Sequence, residues 1–295
     1  MLQQVVVKHA SRLKELQLQR CHMDDVAAQA VAEGISRAGC LQELWIADND
    51  VLPAFAVQLG ESLAFPASLT VLDLSGNRID PAHHRGLFRA FRRCAATLQE
   101  VYLARCCIAE DGLNAVLNAG VYASHALRVL SVSSGRLFRS AGRVLCGVLT
   151  ECPNLERLYV QENFIEADGA VRMSVGIPYA KKLAVLGMGR CHIGGRGARA
   201  VAEAVMQSSS MCELDISGNS IQDADVQDIC RHSNVSSLRL KFLDLSDNPL
   251  TERCWLALKA LLEAHKDNPC IVVVRGTQLG AKSSYLEYNE PSPSC

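Results

Sequence analysis

The chain repeats one pattern, L-x-x-L-x-L-x-x-N-x-I, whose best copy runs from Leu69 to Ile79. Apolar residues at offsets 0, 3 and 5, a polar residue at offset 8 and an aliphatic residue at offset 10 match neither a helix nor a simple alternating strand. The spacing predicts a short strand that leads into a tight turn. Leu72 and Leu74 would then point into a core, and the amide of Asn77 would bond backbone groups of the turn.

The copies follow one another every 28 or 29 residues, and their leading positions are Leu13, Leu41, Leu69, Leu98, Leu127, Leu155, Leu183, Met211 and Leu240. A degraded tenth copy is centred on Val272 and Val274. Offset 8, here called the ladder position, is occupied by Cys21, Asn49, Asn77, Cys106, Gly135, Asn163, Cys191, Asn219 and Asn248. Only Gly135 departs from Asn or Cys, which predicts a local irregularity in the fifth repeat. Such a regular period is typical of a leucine-rich-repeat solenoid.

A repeat of this length has room for a full helix after each turn, and the expected helices include Asp25 to Ser36, Asp111 to Asn118, Arg196 to Met206 and Glu252 to Ala264. Apolar residues recur there at helical spacing, for example Val26, Ala30 and Val31. Long repeats with Asn or Cys at the ladder position resemble the ribonuclease-inhibitor-like subfamily, which Ran GTPase-activating proteins, tropomodulin and NOD-type receptors share. The resemblance covers nearly all of the chain. It implies an α/β solenoid, a partial horseshoe with a parallel sheet on its concave face and helices on its convex face.

A solenoid grows in one dimension, so its 295 residues form one domain rather than two. We expect about ten repeats over residues 1–280, followed by a tail over 281–295 that is either disordered or caps the last strand. The short segment before Leu13 is a thin cap, which suggests that another chain covers the first repeat. We therefore expect the protein to be part of a hetero-complex.

Charge and cysteine content narrow the possible partners and compartments. The formal net charge is -1 and the pI is about 6.7, so nothing favours nucleic acid or an anionic membrane as a partner. Thirteen cysteines without a C-x-x-C pair indicate free thiols in a reducing compartment. We expect no metal and no other cofactor. The expected location is cytoplasmic, with cytoskeletal or ciliary association; the basic residues before Glu15 leave mitochondrial import as an alternative.

The residues at offset 4 should face the hollow, because offsets 3 and 5 face the core. This row reads Gln17, Trp45, Asp73, Tyr102, Ser131, Tyr159, Gly187, Asp215, Asp244 and Val273. The rings of Trp45, Tyr102 and Tyr159 would be spaced by roughly 10 Å, since neighbouring strands lie about 4.8 Å apart. Rings of this kind anchor protein interfaces. The alternative is that the three rings only cover the sheet.

Charged residues complete the predicted binding surface. The charged residues at offset 2 are Glu15, Glu43, Glu100, Arg157 and Glu213, and together with the aspartates at offset 4 they make the hollow acidic. Arginines at offset 7 make the rim partly basic, so a basic peptide or helix is the matched partner. The predicted partner-binding residues are Trp45, Tyr102, Tyr159, Glu43, Asp73, Glu100, Asp215, Asp244, Arg105 and Arg190.

The sequence contains no pattern that indicates catalysis. It has neither G-x-x-x-x-G-K-[ST] nor G-x-S-x-G, and the glycines from Gly194 to Gly197 fall where other repeats turn into a helix. We predict a non-catalytic protein-interaction scaffold, a subunit of a cytoskeletal, ciliary or ribonucleoprotein assembly. Two alternatives stay open. One is a GTPase regulator like the Ran GTPase-activating proteins, whose acidic tail is absent here, and the other is a ligand-sensing repeat domain of the innate-immune type.

Overall fold

The computed structural model describes residues 12–49, 67–78, 91–92, 94–118, 125–232, 239–264 and 270–279. These residues contain one parallel sheet of ten strands, which lie side by side in chain order. Every strand consists of offsets 2 to 4 of its repeat. The strands are β1 (Glu15–Gln17), β2 (Glu43–Trp45), β3 (Val71–Asp73), β4 (Glu100–Tyr102), β5 (Val129–Ser131), β6 (Arg157–Tyr159), β7 (Val185–Gly187), β8 (Glu213–Asp215), β9 (Phe242–Asp244) and β10 (Ile271–Val273).

The register of the sheet follows the sequence repeat. Glu15 pairs with Glu43, Leu16 with Leu44 and Gln17 with Trp45, so each offset faces the same offset of the next repeat. Leu72 at offset 3 is fully buried. The degraded copy behaves like the others, because Val272 is 1% exposed at offset 3 and β10 pairs with β9. The predicted α/β solenoid is confirmed over the described residues, while the predicted tail lies outside them.

The helices follow the turns and close the other side of the core. Asp24 caps the first helix by accepting a hydrogen bond of 2.7 Å from the backbone N–H of Ala27. The helices are α1 (Asp25–Arg37), α2 (Ala109–Val116), α3 (Ala141–Glu151), α4 (Glu166–Ser174), α5 (Gly194–Met206), α6 (Asp223–His232) and α7 (Trp255–Ala264). None of the helices within the described part of the chain is long and apolar enough to cross a membrane.

The predicted apolar face of α1 needs one correction. Ala28, Val31 and Ile35 are fully buried, whereas Val26 is 73% exposed. Val26 is the second residue of the helix, and although it shares a face with the buried Ala30 four residues later, the buried face begins only at Ala28. The buried face of α1 is therefore built around Ala28, and the assignment of Val26 to it was wrong.

The ladder residues join neighbouring repeats, as the pattern predicts. The side-chain amide of Asn163 donates to the carbonyls of Val132 (3.0 Å) and Val160 (2.8 Å). Its Oδ1 accepts from the backbone N–H groups of Gly135 (2.9 Å) and Leu137 (3.0 Å). Cysteine does less at the same position, because the thiol of Cys191 donates only to carbonyls, with the shortest bond at 3.1 Å to Val160. Burial raises the pKa of Cys191 to about 12, so this thiol stays protonated.

The fifth repeat is irregular where Gly135 occupies the ladder position. A Cβ on Gly135 would lie 2.7 Å from the carbonyl oxygen of Val132, so no side chain fits there. The carbonyl of Leu137 accepts a hydrogen bond of 2.8 Å from the N–H of Phe164. Phe138 and Phe164 form an isolated parallel bridge outside the main sheet, and Thr251 and Gln278 form a second one at the same offsets of the ninth and tenth repeats. The irregularity of the fifth repeat is therefore limited to the missing ladder side chain, because the second bridge lies beside the regular ladder residue Asn248.

Candidate functional site on the concave row

The offset-4 side chains lie on the sheet face that points away from the core, and we call this surface, from Gln17 on β1 to Val273 on β10, the concave row. Because the strands pair in register, Trp45 is opposite Asp73 and Asp73 is opposite Tyr102. Both rings are half-buried. The structure therefore places the predicted aromatic and acidic residues of offsets 2 and 4 on one surface.

Two of the three predicted rings are in direct contact. The ring centroids of Trp45 and Tyr102 are 5.9 Å apart and the ring planes meet at 27°. The predicted spacing of roughly 10 Å is wrong for this pair, since both side chains lean toward each other over β3. Together they form one continuous aromatic platform instead of two separate anchors.

Each ring of the platform is held by a carboxylate of its own strand. The indole N–H of Trp45 donates to Oε2 of Glu43 at 3.2 Å, and the hydroxyl of Tyr102 donates to Oε2 of Glu100 at 2.7 Å. Burial, followed by the hydrogen bond and the charge of Glu100, raises the pKa of Tyr102 far above its usual range. The hydroxyl therefore remains a donor, and the two rings are fixed in orientation before any partner binds.

Tyr159 lies further along the row and keeps a free polar group. Burial raises the pKa of its phenol. No side chain or backbone group within the described ranges forms a hydrogen bond with its hydroxyl. A half-buried ring with an unused hydroxyl can accept or donate one bond to a bound protein.

The aspartates of the row have a structural role that the pattern did not reveal. Oδ1 of Asp73, Asp215 and Asp244 accepts the backbone N–H of the serine two residues later, at 2.9, 2.9 and 2.8 Å. Such bonds are Asx turns, which hold the chain as it leaves the strand. The recurring D-x-S in these repeats was the available signal. Each carboxylate keeps its second oxygen on the concave row.

The rim at offset 7 is a chain of alternating charges. Arg105 donates to Oδ1 of Asp48 at 2.8 Å, and Arg190 donates to Oδ2 of Asp247 at 3.0 Å. The hydrogen bond from Arg105 is the largest influence on Asp48 and lowers the pKa of that carboxyl. The expected partly basic rim requires correction, because Asp48, Glu162 and Asp247 occupy the same offset as the arginines and balance their charge. A search of offset 7 for acidic as well as basic residues would have identified these three acids in the sequence.

In both of these ion pairs, the charged side chains pass over a glycine of the repeat between them. Gly76 lies between the repeats of Asp48 and Arg105 in the left-handed region, with φ at +68°, and an added Cβ would approach Oδ1 of Asp48 to 1.8 Å. Gly218 lies in the same way beneath Arg190, whose Cγ would be 2.7 Å from an added Cβ. A side chain at either position would displace the charged group that passes over it. The glycines therefore let charges two repeats apart meet along the rim.

Within the described ranges, no three or more His, Cys, Asp or Glu side chains come together in a way that could hold a metal ion. The twelve cysteines in the same ranges are free thiols. The concave row thus offers rings, carboxylates and one free hydroxyl, which are groups suited to binding a protein.

Comparison with known proteins identifies similar repeats. Leucine-rich-repeat family models match residues 66–82, 207–230 and 239–261. The chain is 25% identical to the ribonuclease inhibitor of Sus scrofa over 256 residues, which cover 86% of this chain and 56% of that protein. It is 24% identical to the ribonuclease inhibitor of Mus musculus, over 90% of this chain and 54% of that protein.

A second group of relatives is larger. The chain is 23% identical to the NACHT, LRR and PYD domains-containing protein 3 of Rattus norvegicus, over 89% of this chain and 28% of that protein. The chain therefore spans about half the length of the ribonuclease inhibitors and little more than a quarter of this protein.

Proposed function

Since the chain belongs to the ribonuclease-inhibitor-like leucine-rich-repeat family, we propose that it is a non-catalytic scaffold that binds a protein partner on its concave row. The contact between Trp45 and Tyr102 is the observation that carries this proposal. Trp and Tyr are enriched among the residues that contribute most to protein interfaces. The platform joins two of them on an accessible face of the sheet.

The platform is also prepared for binding before a partner arrives. Glu43 and Glu100 hold the two rings, so that association costs less side-chain entropy than it would for free rings. Truncating a ring of this kind typically costs about 2 kcal/mol or more of binding free energy. We therefore assign the largest share of the affinity to Trp45 and Tyr102, with Tyr159 supplying a hydrogen bond.

Charge defines the class of partner. The carboxylates of Asp73, Asp215 and Asp244 lie on the concave row, and those of Glu43 and Glu100 lie beside it at offset 2, where Arg157 is the basic exception. The rim arginines Arg105 and Arg190 are paired with acids. An acidic surface around aromatic rings is matched by lysine or arginine side chains, which also interact with ring faces. The proposed partner is a protein that presents a basic segment or helix.

The proposed role as a subunit of a complex follows from the same case for protein binding. The ribonuclease inhibitors among the relatives bear the name of a protein ligand, which is consistent with binding rather than catalysis as the role of this chain. We propose that the chain works as a subunit of a cytoplasmic hetero-complex, in keeping with the free thiols of its described part. The GTPase-regulator and innate-immune alternatives share the fold, but no described contact favours either of them.

Affinity capture tests the proposal. The tagged wild-type chain is compared with Trp45→Ala/Tyr102→Ala/Tyr159→Ala, and co-purified proteins are quantified by mass spectrometry. A matched control, Val26→Ala/Leu256→Ala, removes apolar side chains that are 73% and 77% exposed on helices. We expect the triple variant to lose a defined partner that the control retains, with both variants folded by circular dichroism. Equal recovery of that partner by all three proteins would contradict the proposal.

A further inference from the structure

Three rings form a second aromatic group at the edge of the solenoid, where the turns lead into helices. Phe138 and Phe164 stack with centroids 5.7 Å apart, and Phe164 stacks on His192 with centroids 5.3 Å apart and nearly parallel planes. We call Phe138, Phe164 and His192 the rim stack. It spans the fifth, sixth and seventh repeats.

The fold does not need these rings for its core. Phe138 is 53% exposed and Phe164 is 48% exposed, whereas the neighbouring Leu137 and Ile165 are fully buried. The core positions of both turns are thus filled by aliphatic residues beside the phenylalanines. Exposed phenylalanines in mutual contact form a contiguous apolar patch, which is a common mark of an interaction surface.

Charge at one end of the rim stack is positive. Arg136 and Arg139 flank Phe138 in sequence, both are exposed, and neither forms an ion pair with any residue in the described ranges. Glu162 accepts a hydrogen bond from Ser134 at 2.7 Å and lies 4.0 Å from Arg190, so its charge is already engaged. Glu166, two residues after Phe164, is exposed and carries the opposite charge. The positive charge of the rim stack therefore lies at its Phe138 end.

From this arrangement we infer that the rim stack is a second docking surface, which binds an acidic protein segment carrying an aromatic or aliphatic anchor. The anchor packs against Phe138 and Phe164, while the acidic residues pair with Arg136 and Arg139. This preference is opposite to that of the concave row. The two surfaces can therefore hold two different segments, and each can be tested without the other.

A displayed library of random twelve-residue peptides provides the test. Peptides are selected on the immobilised full chain after counter-selection on Phe138→Ala/Phe164→Ala. We expect the enriched peptides to be acidic and to share an aromatic or aliphatic residue. Their affinity should fall about tenfold or more in the alanine variant and stay unchanged in Trp45→Ala/Tyr102→Ala. A charge-reversal variant, Arg136→Glu/Arg139→Glu, leaves the rings in place and should abolish binding of the same peptides even if the alanine variant is unstable.

Several results would overturn this inference. They include no enrichment over the counter-selection, enriched peptides that are basic, and binding that survives the charge reversal. Enrichment only on a chain that lacks residues 281–295 would instead identify the protein's own tail, with its Tyr285 and Glu287, as the occupant. Self-association that is lost in Phe138→Ala would identify a second copy of the chain as the occupant, and would equally contradict an external acidic partner.

Discussion

The concave row and the rim stack both bring aromatic rings into contact, but the rings differ in burial, in hydrogen bonding and in the charges next to them. Trp45 and Tyr102 are half-buried, each is tied to a glutamate, and Asp73 lies between them in the sheet. Phe138 and Phe164 have no polar atoms in their rings, are about half exposed, and lie beside arginines that form no ion pair within the described part of the chain. The first group lies on the strands, whereas the second lies where the turns lead into the helices.

This difference shows how one repeat produces two kinds of surface. On the concave row, the strand register puts ring-bearing positions in line, and carboxylates two residues earlier orient the rings. At the rim, Phe138 at offset 11 bridges Phe164 at offset 9 of the next repeat, as Thr251 and Gln278 do at the same offsets. Both surfaces therefore use positions that recur in the repeat, and the residue types at those positions make the difference.

We expect the largest effect on stability from a substitution in the turn beneath the rim stack, far from the concave row. Asn163→Ala deletes the buried amide that bonds Val132, Val160, Gly135 and Leu137. We expect the free energy of unfolding to fall by about 3 kcal/mol, because buried backbone groups lose their partners. Urea unfolding measures the loss. Hydrogen exchange should quicken in residues 132–142 and remain unchanged in residues 43–49; a loss below about 1 kcal/mol would contradict the assigned role.

A smaller effect is expected on the rim beside the concave row. Gly76→Ala places a Cβ where Oδ1 of Asp48 lies and forces a non-glycine residue into the left-handed region. We expect a loss of about 1.5 kcal/mol from strain and the displaced ion pair, measured by urea unfolding. The matched control is Gly39→Ala, since nothing lies within 4 Å of an added Cβ there. Equal losses in the two variants would refute the steric argument.

Tyr102→Phe makes the concave pair chemically similar to the rim stack, since the ring stays and the hydroxyl is lost. We expect a loss of about 1 kcal/mol at neutral pH from the missing hydrogen bond to Glu100. Burial raises the pKa of Tyr102 above its ordinary value of 10.0. The stability that the neutral phenol contributes is thus complete below pH 10 and decreases as the pH rises toward the folded-state pKa.

The Tyr102→Phe variant has no phenol hydroxyl to ionise at this position. The difference in the free energy of unfolding between wild type and Tyr102→Phe should therefore shrink above pH 10. Urea unfolding at neutral and alkaline pH measures the difference. Tyr179→Phe, which removes a hydroxyl from a ring that is 65% exposed, is the control. A difference for Tyr102→Phe that does not change with pH would show that its hydroxyl is not held as described.

The smallest effect on stability is expected from the rim charges. Arg105 pairs with Asp48 while its side chain is 57% exposed, so Arg105→Ala should lower the free energy of unfolding by less than about 0.5 kcal/mol. The freed acid should raise the association rate of a basic partner by about twofold at low salt. Surface plasmon resonance at two salt concentrations checks this, and an unchanged rate would show that the rim does not steer the partner.

The sequence period was sufficient to predict the main architecture. The spacing of Leu72 and Leu74 predicted buried strand positions, and aligning the copies correctly placed Trp45, Tyr102 and Tyr159 on one row. The weak tenth copy was also identified from the repeat period, and its strand β10 pairs in register with β9. These features follow from a pattern that every repeat shares.

Contacts between side chains of different repeats were not predictable in the same way. Trp45 and Tyr102 touch because both rings lean across β3, a choice of rotamer that no spacing reveals. Phe138 lies at offset 11 and Phe164 at offset 9, so alignment by the period does not pair them. Arg105 meets Asp48 only because Gly76 leaves room between them. A periodic sequence predicts positions, and the side-chain packing then decides which positions meet.

The most direct test of the proposed binding role is a hydrogen-exchange footprint of the chain in complex with its captured partner. The account predicts slower exchange in the strand segments 43–47, 100–105 and 157–161, with the helical segments 25–37 and 255–264 unchanged. Protection confined to those helices, with the strand segments exchanging as in the free chain, would contradict the claim that the concave row binds the partner.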